Sequence, residues 1–157
     1  MDCLDKDFMK EALAEARKAF LMGEVPVGAV LVHRGKIIAR AHNLVEAHSC
    51  ATAHAEILCL QEGARVLGNW RLLETTLYCT LEPCAMCAGG MIASRIGRLV
   101  YGAPDLRHGA DGSVFHLLDG SHPIHDFPVK RSVCAEESKE LLQTFFQERR
   151  KEKNGSI

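Results

Sequence analysis

Cys84 and Cys87 stand three residues apart in TLEPCAMCAGG, and His54 stands in TAHAEI. These are the residues whose types and spacing could do chemistry. At a helix start, C-x-x-C spacing turns both sulfurs to one side, and the positive end of the helix favours thiolates. Two thiolates and an imidazole suit zinc, and three protein ligands leave the fourth tetrahedral place for water, the pattern of a catalytic site. Zinc lowers the pKa of water from 15.7 to about 7 and so provides a nucleophile at neutral pH. Glu56, two residues after His54, cannot share a helix face with it. From a helix start it can reach the same point, as a proton shuttle rather than a ligand. A lone C-x-x-C also fits a redox dithiol, and a closed structural site would need a fourth protein ligand. Cys79 is the candidate for that place, but it lies in a strand and reads as a small core residue, as do Cys59 and Cys134.

These residues need elements to hold them. Residues 6–22 have helical periodicity, and Pro26 ends that stretch. VGAVLVHRGKIIARAHN reads as two strands around a turn at Arg34-Gly35-Lys36, the first spanning Val27 to Val32 in the sheet interior. A helix over 53–66 follows, with Thr52 as its expected N-cap and Gly68-Asn69 as its stop. TTLYCTL (75–81) is a strand, and Pro83 suits the start of a helix over 84–94. RLVYGA (98–103) is another strand, and 104–127 reads as loop with room for a short helix. PVKRSV (128–133) is a last strand, and 135–151 a final helix. The tail 152–157 is expected to be disordered. Helices between strands predict a three-layer α/β/α sandwich with a mixed five-stranded sheet, and 1–157 is read as one domain. The helices that carry His54 and Cys84 would start at one sheet edge and converge there.

The chain has 157 residues, 47% of them hydrophobic and 25% charged, with a net charge of −1. That composition is globular, and no apolar run has the length of a membrane span. The charge points to no class of partner, although a local basic patch remains compatible with it. The seven cysteines are odd in number and no export signal precedes them, so a disulfide framework is not expected and the cytoplasm is.

The combination H-x-E and P-C-x-x-C resembles the signature of zinc-dependent nucleobase and nucleoside deaminases. EVPVGAVLV (24–32), TAHAEI (52–57), TLEPCAMCAGGMI (80–92), SRIGRLVYGA (94–103) and LLQTFFQERR (141–150) are similar to the bacterial tRNA-specific adenosine deaminases. The likeness runs over roughly residues 8–150 and implies a cytidine-deaminase-like fold and one zinc ion per subunit. It also implies hydrolytic deamination of adenosine to inosine at the wobble position of a tRNA anticodon. In that family activated water attacks C6 of a base splayed out of its loop, and the Glu, here Glu56, carries the proton to N1 and helps ammonia leave. The resemblance implies that Asn43 contacts the flipped nucleoside and that backbone at Val27, Gly28, Ala29 and Ala55 lines the base pocket. Glu82 would lie beside the site and Asp105 near the substrate strand. It implies a tRNA anticodon stem-loop as partner, a homodimer with the active site near its interface, and no membrane.

On the terminal helix, Phe145 and Phe146 read as an apolar face of which one ring is core and the other free to stack on RNA. Arg149, with Arg150, Lys151 and Lys153, reads either as a solvated helix end or as a phosphate patch. Two positions depart from the family's usual text: Cys50-Ala51 stands where Asp-Pro is common, and His125-Asp126 where Asn-His is. Two rivals share these features. A guanine or cytosine deaminase acting on free bases would keep the zinc, the Glu and the fold. A zinc-stabilised RNA-binding module without catalysis would make Glu56 dispensable.

Overall fold

In a computed structural model, described here for residues 2–155, the elements run α1 (Asp2–Leu21), β1 (Gly28–His33), β2 (Lys36–His42), α2 (Ala55–Leu67), β3 (Thr75–Leu81), α3 (Ala85–Ala93), β4 (Arg98–Ala103), β5 (Val129–Lys130) and α4 (Ala135–Gly155). The five strands form one sheet in the order β2-β1-β3-β4-β5. β1 is antiparallel to both neighbours, while β3, β4 and β5 are parallel. The sheet is therefore mixed, as expected, and β1 is interior.

Alternation along the strands divides the core in two. Ala29, Leu31, Leu77, Cys79 and Leu99 pack with Cys59 and Leu60 of α2 and Cys87, Ala88 and Met91 of α3. Val30, Val32, Tyr78 and Val100 pack with Met9, Ala12 and Leu13 of α1. α4 closes that second side, where the Ser138 hydroxyl donates to the Thr80 carbonyl and α4 lies against β4 and α1. The result is the three-layer sandwich.

Local chemistry accounts for the boundaries. Arg34 and Gly35 both have positive φ, 51° and 77°, the two-residue turn whose twist matches a hairpin. Gly68 ends α2 at φ 62° with its N–H returned to the last turn. Three expectations are corrected. α1 begins four residues earlier than 6, because Asp5 is buried and tied down. β5 has two residues rather than six, since Arg131 turns away to pair with Asp111. Residues 152–155, expected in a disordered tail, continue α4, and 156–157 lie outside the described residues. The 104–127 segment carries turns and isolated bridges but no helix.

Asp5 knots the second side together. Its carboxylate accepts two bonds from the Arg98 guanidinium at 2.9 and 2.8 Å, one from Lys130 at 3.0 Å and one from the Tyr78 hydroxyl at 2.8 Å. The Arg98 bonds, aided by Tyr78 and Lys130 and opposed by burial, hold its pKa well below the ordinary 3.8. A depressed folded pKa gives stability that is present above the unfolded value and lost as pH falls through the folded one. Asp5→Asn should therefore cost about 2–3 kcal/mol near neutrality. Urea midpoints of variant and wild type should converge as pH drops below the ordinary 3.8; a gap that stays constant with pH would refute this.

Candidate metal centre and active site

β2 and β3 each run antiparallel to β1, so they point the same way and end at the same edge of the sheet. The chain enters α2 and α3 from that edge, and the two helix starts converge there. Both N-cap positions are unusual. His54 caps α2 at φ −78° and ψ 148°, and Cys84 caps α3 at φ −74° and ψ 174°. Neither side chain makes a capping hydrogen bond. Cap positions favour Ser, Thr, Asp or Asn because their oxygens satisfy free N–H groups. Here the side chains face each other instead. Thr52, the expected cap, lies two residues too early, and its carbonyl accepts the His54 N–H.

The His54 Nδ1 lies 3.6 Å from Cys84 Sγ and 3.5 Å from Cys87 Sγ. Tetrahedral zinc, with sulfur at about 2.3 Å and nitrogen at about 2.0–2.1 Å, would place such atoms about 3.6 Å apart. The donor set and its spacing thus fit zinc. Among the described residues no fourth His, Cys, Asp or Glu joins this group. Cys84 ionises readily: the hydrogen bond from Cys87 pulls its pKa down to about 4, with burial opposing and His54 adding to the pull. Cys79, Cys59 and Cys134 are not in the group. Cys79 and Cys59 are buried and donate to the Leu81 and Ala39 carbonyls.

Glu56 is 4% exposed. Burial raises its pKa to about 7, with His54 opposing. A carboxyl near neutrality both accepts and gives up a proton easily. Asn43 lies close by in bonding terms: its Oδ1 accepts the Ala55 N–H at 2.8 Å and its own N–H donates to the Val27 carbonyl. Asn43 thus supplies the cap that His54 does not. Its amide NH2 has no protein partner among the described residues. Val27, Ala29 and Ala55 are buried on the α2/α3 side of the sheet. Gly28 faces the other way: a Cβ there would meet the Ala12 carbonyl oxygen and the Ala16 nitrogen of α1. It can line the pocket only through its backbone, and its N–H already donates to the Thr80 hydroxyl.

The structure gives Glu82 a task other than meeting substrate. It is 2% exposed and accepts the backbone N–H groups of Asp105, Asp111 and Ser113 and the Ser113 hydroxyl. Gly109 packs on this carboxylate so closely that a Cβ would strike it. The 105–113 loop is thereby pinned beside Cys84, which bridges to Gly109. Burial works against the Glu82 charge, but Ser113 and the loop N–H groups keep its pKa below the ordinary value. One Asp105 oxygen accepts the N–H groups of Arg107 and His108, so it also shapes its own loop.

Phe145 and Arg149 are not brought to the site. Phe145 is 5% exposed and packs edge-on against Phe20 and Phe146. Phe146, 43% exposed, is the ring left facing out. Arg149 lies over Phe145 and donates to the Gly23 carbonyl, joining α4 to the end of α1. Cys50 is exposed, and the Thr52 hydroxyl beside it lowers its pKa. Sequence reasoning missed Glu24, a 2% exposed carboxylate on the 44–48 turn. The available signal was an acid at the head of the apolar run EVPVGAVLV.

Residues 3–103 match the cytidine and deoxycytidylate deaminase zinc-binding region. The chain is 48% identical to the tRNA-specific adenosine deaminase of Bacillus subtilis, over 97% of this chain and 94% of that one. It is 49% identical to the chloroplastic tRNA(adenine(34)) deaminase of Arabidopsis thaliana over 92% of its length, but spans only 12% of that longer protein. A solved structure from studies of A-to-I editing by tRNA:A34 deaminases at the wobble position of transfer RNA superposes with a TM-score of 0.83. It is 43% identical, over 87% of this chain and 99% of that one. With the three clustered donors, the buried Glu56 and the fold in place, the chain belongs to the cytidine and deoxycytidylate deaminase family, among the tRNA-specific adenosine deaminases.

Proposed function

We propose that this protein hydrolyses adenosine to inosine at the wobble position of a tRNA anticodon. The observation that carries the reading is a buried carboxyl, Glu56, beside a three-donor metal group with no fourth protein ligand among the described residues. His54, Cys84 and Cys87 would hold one zinc ion per chain. Zinc supplies the Lewis acidity that brings the pKa of water to about 7. Glu56 takes one proton of the attacking water and delivers it to N1 of the adenine, where inosine keeps it; it then takes the remaining proton from the new C6 hydroxyl and gives it to the departing amine, which leaves as ammonia. The Asn43 amide NH2 is free to hold the flipped nucleoside, while its oxygen fixes the start of α2. Buried Val27, Ala29 and Ala55 keep bulk water from the base. An anticodon loop gives up a base to such a pocket at less cost than a duplex does. The homodimer implied by the family belongs to this proposal, and light scattering on the zinc-loaded protein tests it.

The deciding experiment offers an anticodon stem-loop with wobble adenosine beside free adenosine, guanine and cytosine. Inosine should appear in the stem-loop at least 100-fold faster, in kcat/KM, than any free base or nucleoside turns over. Turnover of guanine or cytosine alone would convert the reading to a small-molecule deaminase. No turnover of any of them by zinc-loaded protein would leave a binding module.

A further inference from the structure

The segment 43–54 begins at Asn43, which offers its free amide, and ends at His54, a metal ligand. Its course therefore sets the position of the nucleoside contact against the metal centre. The segment holds no regular helix or strand. Its internal bonds include Leu44 N–H to the Ala53 carbonyl and His48 N–H to the Leu44 carbonyl. The second of these closes one helical turn, whose early N–H groups have no partner within the turn. Glu24, in the α1–β1 connection, accepts from two of them. Its Oε1 accepts the Glu46 N–H at 3.0 Å and its Oε2 the Ala47 N–H at 2.8 Å. The carboxylate is almost wholly buried, and its own backbone is anchored by the Glu24 N–H to the Ala19 carbonyl.

We propose that Glu24 is a positioning residue for substrate binding: its buried carboxylate fixes the 43–54 loop, and with it the wall that receives the nucleoside and its neighbouring nucleotides. The inference rests on the deaminase reading for its substrate. Both carboxylate oxygens accept backbone N–H groups, so the charge and the two-acceptor geometry are both needed. A glutamine at this place has one acceptor, and its NH2 would face a backbone N–H. Glu24→Gln is thus a near-isosteric substitution that breaks the clamp without leaving a cavity. Glu24 touches neither substrate nor metal, so the chemical step should survive its loss while binding suffers.

The test compares wild type, Glu24→Gln and Glu24→Ala, all zinc-loaded, on the anticodon stem-loop, with zinc content and residue-resolved amide exchange measured in parallel. In Glu24→Gln, KM should rise at least tenfold with kcat within threefold and zinc content unchanged. Exchange at Glu46 and Ala47 should speed up at least tenfold, while Asn43 and Leu44, bonded elsewhere, stay protected. Glu24→Ala should show the same split and no rescue. Unchanged KM, or exchange at 46 and 47 that does not move, overturns the proposal. So does a parallel loss of kcat, zinc and melting temperature, which would mark Glu24 as a general stability residue. If wild type leaves the stem-loop untouched, the deaminase reading fails by itself, and the exchange rates at 46 and 47 still decide whether Glu24 holds the loop.

Discussion

Glu56→Gln should lower kcat on the anticodon stem-loop by about 10²- to 10⁴-fold, the range removed with a positioned acid–base group, and leave zinc content and KM nearly unchanged. Glutamine keeps the shape and some hydrogen bonding but cannot carry a proton. Because Glu56 is buried on the first turn of α2 and stands outside the three-donor metal group, its loss should not open the site. A fall in kcat with KM constant identifies an interaction made in the transition state rather than in the ground state. Zinc analysis and single-turnover inosine formation supply the check. If the variant loses its zinc, Glu56 is a ligand. If it retains full kcat, the proton travels by another group, and the catalytic reading of the site loses its central residue.

Cys84→Ala should abolish inosine formation and drop zinc content below a tenth of wild type. Two donors remain, and two do not hold zinc in competition with water as three do. Stability should follow, because a metal that binds only the folded chain stabilises it. At a free zinc level about 100 times Kd the gain is about 2.7 kcal/mol, or roughly 5–10 °C in Tm for a domain of this size. Treating wild type with a strong chelator should therefore lower its Tm by that amount and abolish activity, with both restored by zinc. The variant should melt near the chelated wild type and not respond to chelator. A Cys84→Ala protein that keeps its zinc would mean that the metal sits elsewhere. The effect also bears on local structure: Cys84 and His54 stand at the N-cap positions of α3 and α2 without a side-chain capping bond, so a metal held there would fasten both helix starts.

The meeting of His54, Cys84 and Cys87 was legible because each lies in a short segment whose residue types announce donors, and the strand-then-helix order told which way they would point. The three layers followed from the order of the elements, helices lying between strands along the chain. Helix starts were less legible. Thr52 has the better capping side chain, yet His54 holds the position because the chain there is bent to deliver an imidazole. Of the adjacent rings Phe145 and Phe146, periodicity could not choose the inward one; Phe20, on a different helix, decided it. Glu82 and Glu24 were opaque for a related reason. Each carboxylate is satisfied by backbone N–H groups 22 to 31 residues further along, and backbone donors carry no sequence signature.

The Asp5 knot has a consequence for synthesis. α1 leaves the ribosome before the other elements described, but the partners of its buried Asp5 are Tyr78, Arg98 and Lys130, which lie 73, 93 and 125 residues later. Arg149 reaches back to Gly23 across 126 residues. Until those residues have been made, Met9, Ala12 and Leu13 have no complete sheet to cover, and the helix waits with its apolar stripe unburied. The three donors that could hold a metal lie only about 30 residues apart, from His54 to Cys84 and Cys87, and all of them are out before the knot can close. Newborn chains can therefore bring the three donors together around a half-built sheet, and α1, made before the strands it covers, is among the last elements to dock.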